Sequence, residues 1–121
     1  MAKKNNKTNP ELKELIHSLK KHANLNNVML WKDIAERFEK PLNNWPVVNL
    51  NRINRTINEK ETALIPGKVL SDGNLDKKIN IAAWSFSEKA VEKIKKSGGK
   101  TLTINEIMKE NPKGKNIRII G

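Results

Sequence analysis

The chain has 121 residues, no Cys, and 24 Lys and Arg against 13 Asp and Glu, a formal net charge of +11. That length supports one domain with a modest core, and the lack of Cys excludes disulfides and thiolate metal sites. No apolar run approaches the roughly 18 residues of a membrane span, and the N-terminal MAKKNNKTNP lacks the apolar core of a secretory signal, so the totals describe a cytosolic protein whose natural partner is a polyanion.

Residues 1–8 carry Lys3, Lys4 and Lys7 with almost nothing to bury. They read as a basic, flexible tail ahead of a single domain over 9–121. Asn9-Pro10 opens a helix, with Asn9 as N-cap and Pro at the first helical position. Thr8 and Glu11 also have capping-box spacing, which would put the cap one residue earlier. Leu12, Leu15, Ile16, Leu19 and Ala23 recur at helical period until the Asn24–Asn27 cluster ends the helix. A second helix is predicted from about Leu30 to Glu39, with Trp31, Ile34, Ala35 and Phe38 as its apolar stripe and Asp33 and Arg37 at i,i+4. Pro41 stops it, and Leu42-Asn-Asn-Trp-Pro46 is a loop.

Val47 to Leu50 reads as a short extended piece, and Asn51 to Ile57 as a helical turn. The signal then becomes β. Thr62 to Ile65 is a strand, Pro66-Gly67 a turn, Lys68-Val-Leu70 a second strand, and Ser71-Asp-Gly73 another turn. Lys78 to Phe86 is the longest predicted strand, with Ile79, Ile81 and Ala83 on one face and Trp84 and Phe86 on the other. Ser85-x-x-Glu88 has the spacing of a capping box before a helix carrying Ala90, Val91 and Ile94, closed by Gly98-Gly99. Thr103-x-x-Glu106 opens a short helix with Ile107 and Met108, ended by Asn111-Pro112. Asn116 to Gly121 is a terminal extended segment.

Catalytic chemistry finds little support. His17 and His22 are five apart on one helix and point in different directions, unlike an i,i+4 zinc pair. Ser97-Gly-Gly-Lys-Thr101 resembles the end of a phosphate-binding loop, but Ile94 stands where the first Gly belongs, and a helix precedes where a strand should. Gly98-Gly99 as a helix stop is the better reading. The remaining carboxylates sit among lysines on amphipathic helices, where surface ion pairs are the default. The sequence supports no enzyme, metal or cofactor assignment.

The basic residues are more informative. An A+T-rich genome would raise Lys, Asn and Ile together, but it does not readily explain why Asp and Glu fail to keep pace. Lysine outnumbers arginine twenty to four. Lys is a mobile point charge, whereas Arg grips phosphate with a planar fork or stacks on bases. Two of the four Arg, Arg52 and Arg55, lie in Val47-Val-Asn-Leu-Asn-Arg-Ile-Asn-Arg55, interleaved with Asn49, Asn51 and Asn54. Apolar residues that anchor, amides that donate and accept, and guanidinium groups together suit a folded nucleic acid. The competing reading has these Asn and Arg capping neighbouring backbone groups or binding a carboxylate of the protein. No zinc-finger spacing, zipper heptad or helix-turn-helix pattern favours DNA, and no basic–aromatic strand resembles an RNA-recognition motif. Structured RNA, bound by shape and charge, is the expected partner.

Thr8-Asn-Pro10, Leu30-Trp-Lys-Asp-Ile-Ala35, Val48-Asn-Leu50 with Arg52-Ile-Asn-Arg55, Pro66-Gly-Lys-Val-Leu70, Ala82-Ala83 with Ser85-Phe-Ser87, and Leu102-Thr-Ile104 with Glu110-Asn-Pro112 resemble one family, in order. It is the archaeal and eukaryotic large-subunit ribosomal protein family "eighteen-e", related to bacterial ribosomal protein fifteen, and the short archaeal form is the closer fit. The resemblance implies a ribosomal-RNA-binding structural component with no catalytic centre, cytoplasmic and in the ribosome, with neighbouring ribosomal proteins as further partners. It also implies an α/β fold in which two N-terminal helices precede irregular β-β-α superhelical turns. The chain departs from the family in two places. Leu42-Asn-Asn-Trp45 stands where members often carry Arg, which weakens the case for RNA contact there, and Ser71 stands where Gly is expected. The expected RNA contacts are Lys3, Lys4, Lys7, Asn49, Asn51, Arg52, Asn54, Arg55, Lys68, Lys77, Lys78 and Arg118. The runner-up is a basic protein–protein adaptor whose Lys-rich face meets an acidic partner; an adaptor would not sediment with ribosomal subunits.

Overall fold

The computed structural model describes residues 9–121, and the tail assignment and the alternative cap at Thr8 lie outside them. Helix α1 spans Pro10–Asn26, capped by the Asn9 side chain, whose Oδ1 accepts from the N–H groups of Glu11 and Leu12. Asn27 ends it in the left-handed conformation. Helix α2 spans Met29–Phe38 and packs against α1 across a short turn. A single 3-10 turn, Leu42–Asn44, leads to strand β1 (Val47–Asn49), and helix α3 (Leu50–Thr56) begins without a break.

Strand β2 (Thr62–Leu70) corrects the sequence reading. Pro66-Gly67 does not turn the chain; it lies inside one nine-residue strand. The reason is the pairing around it. Strand β5 (Ile117–Ile119) pairs with Thr62–Leu64, and β1 pairs with Lys68–Leu70 along the same edge. Pro66 falls where one partner ends and the other begins, so its missing N–H leaves no ladder position empty. On its other side the register to strand β3 (Asn80–Phe86) slips between Ile65 and Lys68, the kind of irregularity at which Pro is tolerated. Gly67 is required there for room: a Cβ would sit 2.1 Å from the Pro46 carbonyl oxygen.

Three smaller corrections belong to β3 and the helix after it. The strand starts at Asn80, two residues later than expected. Trp84 and Phe86 do not share a face: Trp84 packs into the core on the α1–α2 side, Phe86 into the opposite one. The slipped register falls beside them and breaks the two-residue alternation. Ser85 remains in the strand, and the cap of helix α4 (Glu88–Lys96) is Ser87, whose hydroxyl accepts from the Ala90 N–H at 3.2 Å. Gly98 lies just past this helix with φ of 92°. The capping box at Thr103 and Glu106 is present as expected and opens helix α5 (Ile104–Glu110), preceded by the two-residue strand β4 (Thr101–Leu102).

All pairings are parallel, in the order β1-β2-β3-β4 with β5 sharing the β1 edge of β2. A parallel sheet needs cover on both faces, and the burial pattern supplies it. Leu64 and Ala82 face one core with Leu19, Trp31 and Phe38; Ala63, Ile65, Ile81 and Ala83 face another with Leu50, Ile53 and Ile94. Helices α1, α2 and α5 therefore cover one face, and α3 and α4 the other. The α/β expectation holds, and β2-β3-α4 forms a β-β-α unit. Its β2–β3 link, residues 71–79, contains no helix, although a parallel crossover is usually a helix. That loop passes over α3, and its attachment there shapes the site.

Candidate nucleic-acid interface

Helix α3 is short for an independent helix, so tertiary anchoring must hold it. Leu50 and Ile53 are fully buried, as is Ile57 just past the C-terminus. With those positions turned inward, Asn51, Arg52 and Arg55 are exposed and Asn54 is half-buried. Among the described residues neither Arg52 nor Arg55 has a side-chain hydrogen bond or an ion pair. The other two arginines are occupied. Arg37 pairs with Asp33 at 3.2 Å and donates to the Gly121 carbonyl. Arg118 Nε lies 3.1 Å from one Glu61 carboxylate oxygen and 3.3 Å from the other. The Asn58 N–H, first, and Arg118, second, hold the Glu61 carboxyl below its ordinary pKa.

The asparagines divide between exposure and bracing. Asn49 Oδ1 accepts from the Asp72 N–H and Asn54 Oδ1 from the Asp76 N–H, both at 3.2 Å. The Asn51 N–H donates to the Asp72 carbonyl at 2.9 Å, while its side chain stays outside. Gly73, at φ of 95°, comes so close that a Cβ would lie 2.3 Å from Asn51 Cβ. Lys77 is drawn inward too. Its ammonium donates to the carbonyls of Asn54 (2.9 Å) and Ile57 (2.8 Å), capping the negative end of α3. Lys93, from α4, does the same for the crossing loop, donating to the carbonyls of Ser71 and Gly73. The role of Lys93 escaped the sequence reading. A readable signal existed: Lys89, Lys93 and Lys96 recur at i, i+4 and i+7 on α4, beside the buried face of Ala90 and Ile94.

The expected contact residues therefore do not form one patch. Asn49, Asn51, Arg52, Asn54, Arg55 and Lys77 come together around α3. Lys68 is near them: it is exposed on β2 in register with Val47, two positions before Asn49. Lys78 and Arg118 lie at the opposite end of the sheet. Lys78 precedes β3 beside Gly98, and Arg118 is in register with Ala63 near the start of β2. Lys3, Lys4 and Lys7 lie outside the described residues. Among the described residues there is no grouping of three or more metal-ligating side chains and no helix long and apolar enough to cross a membrane.

Among the described residues Arg52 and Arg55 are therefore an exposed pair without an internal partner, on a helix anchored by buried residues. The family model described as "Ribosomal protein 60S L18 and 50S L18e" matches residues 1–121. The chain is 48% identical over 120 residues to the large ribosomal subunit protein eL18 of Methanothermobacter thermautotrophicus, covering 99% of both chains. It is 43% identical over 120 residues to that of Methanospirillum hungatei, again over 99% of both, and 46% identical over 114 residues to that of Methanoregula boonei, over 94% of both. The chain belongs to the ribosomal protein family of 60S L18 and 50S L18e, a family of structural components rather than enzymes.

Proposed function

We propose that this chain binds and stabilises ribosomal RNA of the large subunit, with Arg52 and Arg55 as the principal contacts. As an archaeal-type ribosomal protein it works in the cytoplasm, in the ribosome. The observation that carries the RNA reading is the contrast among the four arginines. Arg37 and Arg118 are paired with carboxylates, whereas Arg52 and Arg55 stand exposed on a helix pinned by Leu50, Ile53 and Ile57. A guanidinium on a pinned backbone has less freedom to lose on binding than one on a loose loop. It also meets phosphate with two parallel N–H bonds.

Asn51 and Lys68 extend this surface, Asn51 offering donor and acceptor to a base edge or ribose hydroxyl and Lys68 a mobile charge for phosphate. Lys3, Lys4, Lys7 and Lys78 add phosphate contacts elsewhere, and Arg118 contributes only what its pairing with Glu61 leaves free. Asn49, Asn54 and Lys77 serve the interface by fixing α3 and the crossing loop, and any RNA contact they make uses what their internal bonds leave free. The mechanism is displacement of condensed counterions plus shape. Cross-linking in assembled large subunits tests it directly. Nucleotides joined to α3 support the reading, and α3 cross-linked only to protein overturns it.

A further inference from the structure

We propose that a groove between α1, Trp84 and the start of α5 is a docking site for a cationic segment of a neighbouring polypeptide, an Arg or Lys side chain entering it. The groove has a volume of about 240 Å³. Its apolar walls include Leu15, Trp84 and Ile104, and Glu11 and Glu14 line it from α1. Trp84 is half-buried and held by aromatic neighbours, its ring centroid 5.8 Å from Phe38 and 5.6 Å from Trp45. An indole fixed in this way, with carboxylates lining the same space, matches a guanidinium or ammonium on an aliphatic stem.

The charge distribution selects the occupant. The whole chain is +11, yet this groove is lined by Glu11 and Glu14, which form no ion pair among the described residues. Phosphate would be repelled here, so a polyanion does not fit. The groove lies on the α1–α2–α5 side of the sheet, whereas Arg52 and Arg55 lie on the α3 side. One face can therefore meet RNA while the other holds a basic polypeptide. The proposal does not depend on Arg52 and Arg55 being the RNA contacts.

The test is a titration of the full chain with a short blocked arginine-rich peptide, followed by NMR at the Trp84 indole N–H and the Asn105 amide, with a glutamine-for-arginine peptide as control. Saturable shifts at both positions, absent with the control peptide and weakened by salt, are expected. Glu14→Gln, one turn in from the helix start and so sparing its electrostatics, should weaken binding about twofold to fivefold. Trp84→Leu should weaken it as well, and Arg52→Ala should not change it. Equal affinity in Glu14→Gln, or shifts that map elsewhere, would overturn the proposal and leave the carboxylates as helix-start charges only. Binding that emerges only after Lys3, Lys4 and Lys7 are replaced by Gln would also overturn it, since the groove would then be served by its own chain. Perturbation of Trp84 by cognate RNA in place of the peptide would do the same.

Discussion

Three substitutions in and around α3 separate holding the helix from using it. Leu50 is fully buried, in a cluster with Val48, Ile53 and Val69. Leu50→Ala removes core volume and leaves a cavity, which costs about 2–5 kcal/mol. For a domain of this size, with about 3–5 °C of Tm per kcal/mol, the expected drop is roughly 6–25 °C. Arg52 and Arg55 touch no described side chain through a hydrogen bond or ion pair, so each Arg→Ala change should alter stability by no more than about 0.5 kcal/mol. RNA affinity should show the reverse order. Loss of a charge-assisted hydrogen bond is worth about 1.5–3 kcal/mol, roughly 10-fold to 150-fold in Kd. The assay is thermal melting beside affinity for the cognate ribosomal RNA fragment at one fixed salt concentration, with Leu50→Ala measured well below its Tm. If the arginine variants melt early yet bind normally, the side chains are internal braces and the interface is misassigned.

The same geometry sets four further outcomes. RNA affinity should fall log-linearly with salt, with a slope set by the number of phosphates neutralised, and an affinity unchanged between low and moderate salt would contradict the electrostatic mechanism. Lys77→Met should destabilise the free protein by about 1–3 kcal/mol in urea unfolding, because two helix-terminal carbonyls lose a charged donor; unchanged stability would mean that water replaces it. Gly67→Ala should lose more stability than a surface change, since the added Cβ meets the Pro46 carbonyl, which is backbone and cannot swing aside; a near-neutral result would refute the close approach. The depressed Glu61 pKa stabilises the fold above the ordinary glutamate value of about 4.3, and this contribution is lost as pH falls through the lower folded value. Glu61→Gln should therefore lower stability in the neutral region, leave it nearly unchanged at acid pH, and so flatten the acid limb of stability against pH.

What the sequence shows depends on the range of the interaction. Periodicity alone located the α1 and α2 stripes, and all the positions named there except Ile16 are buried. Asn9 and Thr103 were legible as caps because a cap bonds within three residues. Ser87 was missed because Ala90, not Glu, occupies the third helical position, and the box pattern matched Ser85 instead. Pro66-Gly67 has every local mark of a turn. It stays extended because β5 stops and β1 starts beside it, pairings made with residues about twenty before and fifty after it in the chain. The inward use of Lys77 and Lys93 was equally hidden, since each ammonium reaches carbonyls about twenty residues upstream. The pair Arg52 and Arg55 was readable, because the buried i, i+3 and i+7 positions leave them outside.

This division explains why one short segment carries so many asparagines. A parallel crossover without its own helix leaves loop N–H and carbonyl groups that need partners. Asn49 and Asn54 accept from that loop, Lys77 and Lys93 donate to the carbonyls around it, and Gly73 lets it lie flat on α3. Amides suit this task because they bond without adding charge to a chain already at +11. Each lysine used as a brace has its ammonium directed at carbonyls instead of toward phosphate. Arg52 and Arg55 are spared that duty, and both stand on a backbone fixed by buried Leu50, Ile53 and Ile57. The opposition within Val47–Arg55, between residues that ask to be buried and residues that ask for partners, is resolved by position along one helix. The buried apolar residues hold α3 to the sheet, two asparagines hold the loop to α3, and the exposed face of the helix keeps Arg52 and Arg55, with Asn51 beside them.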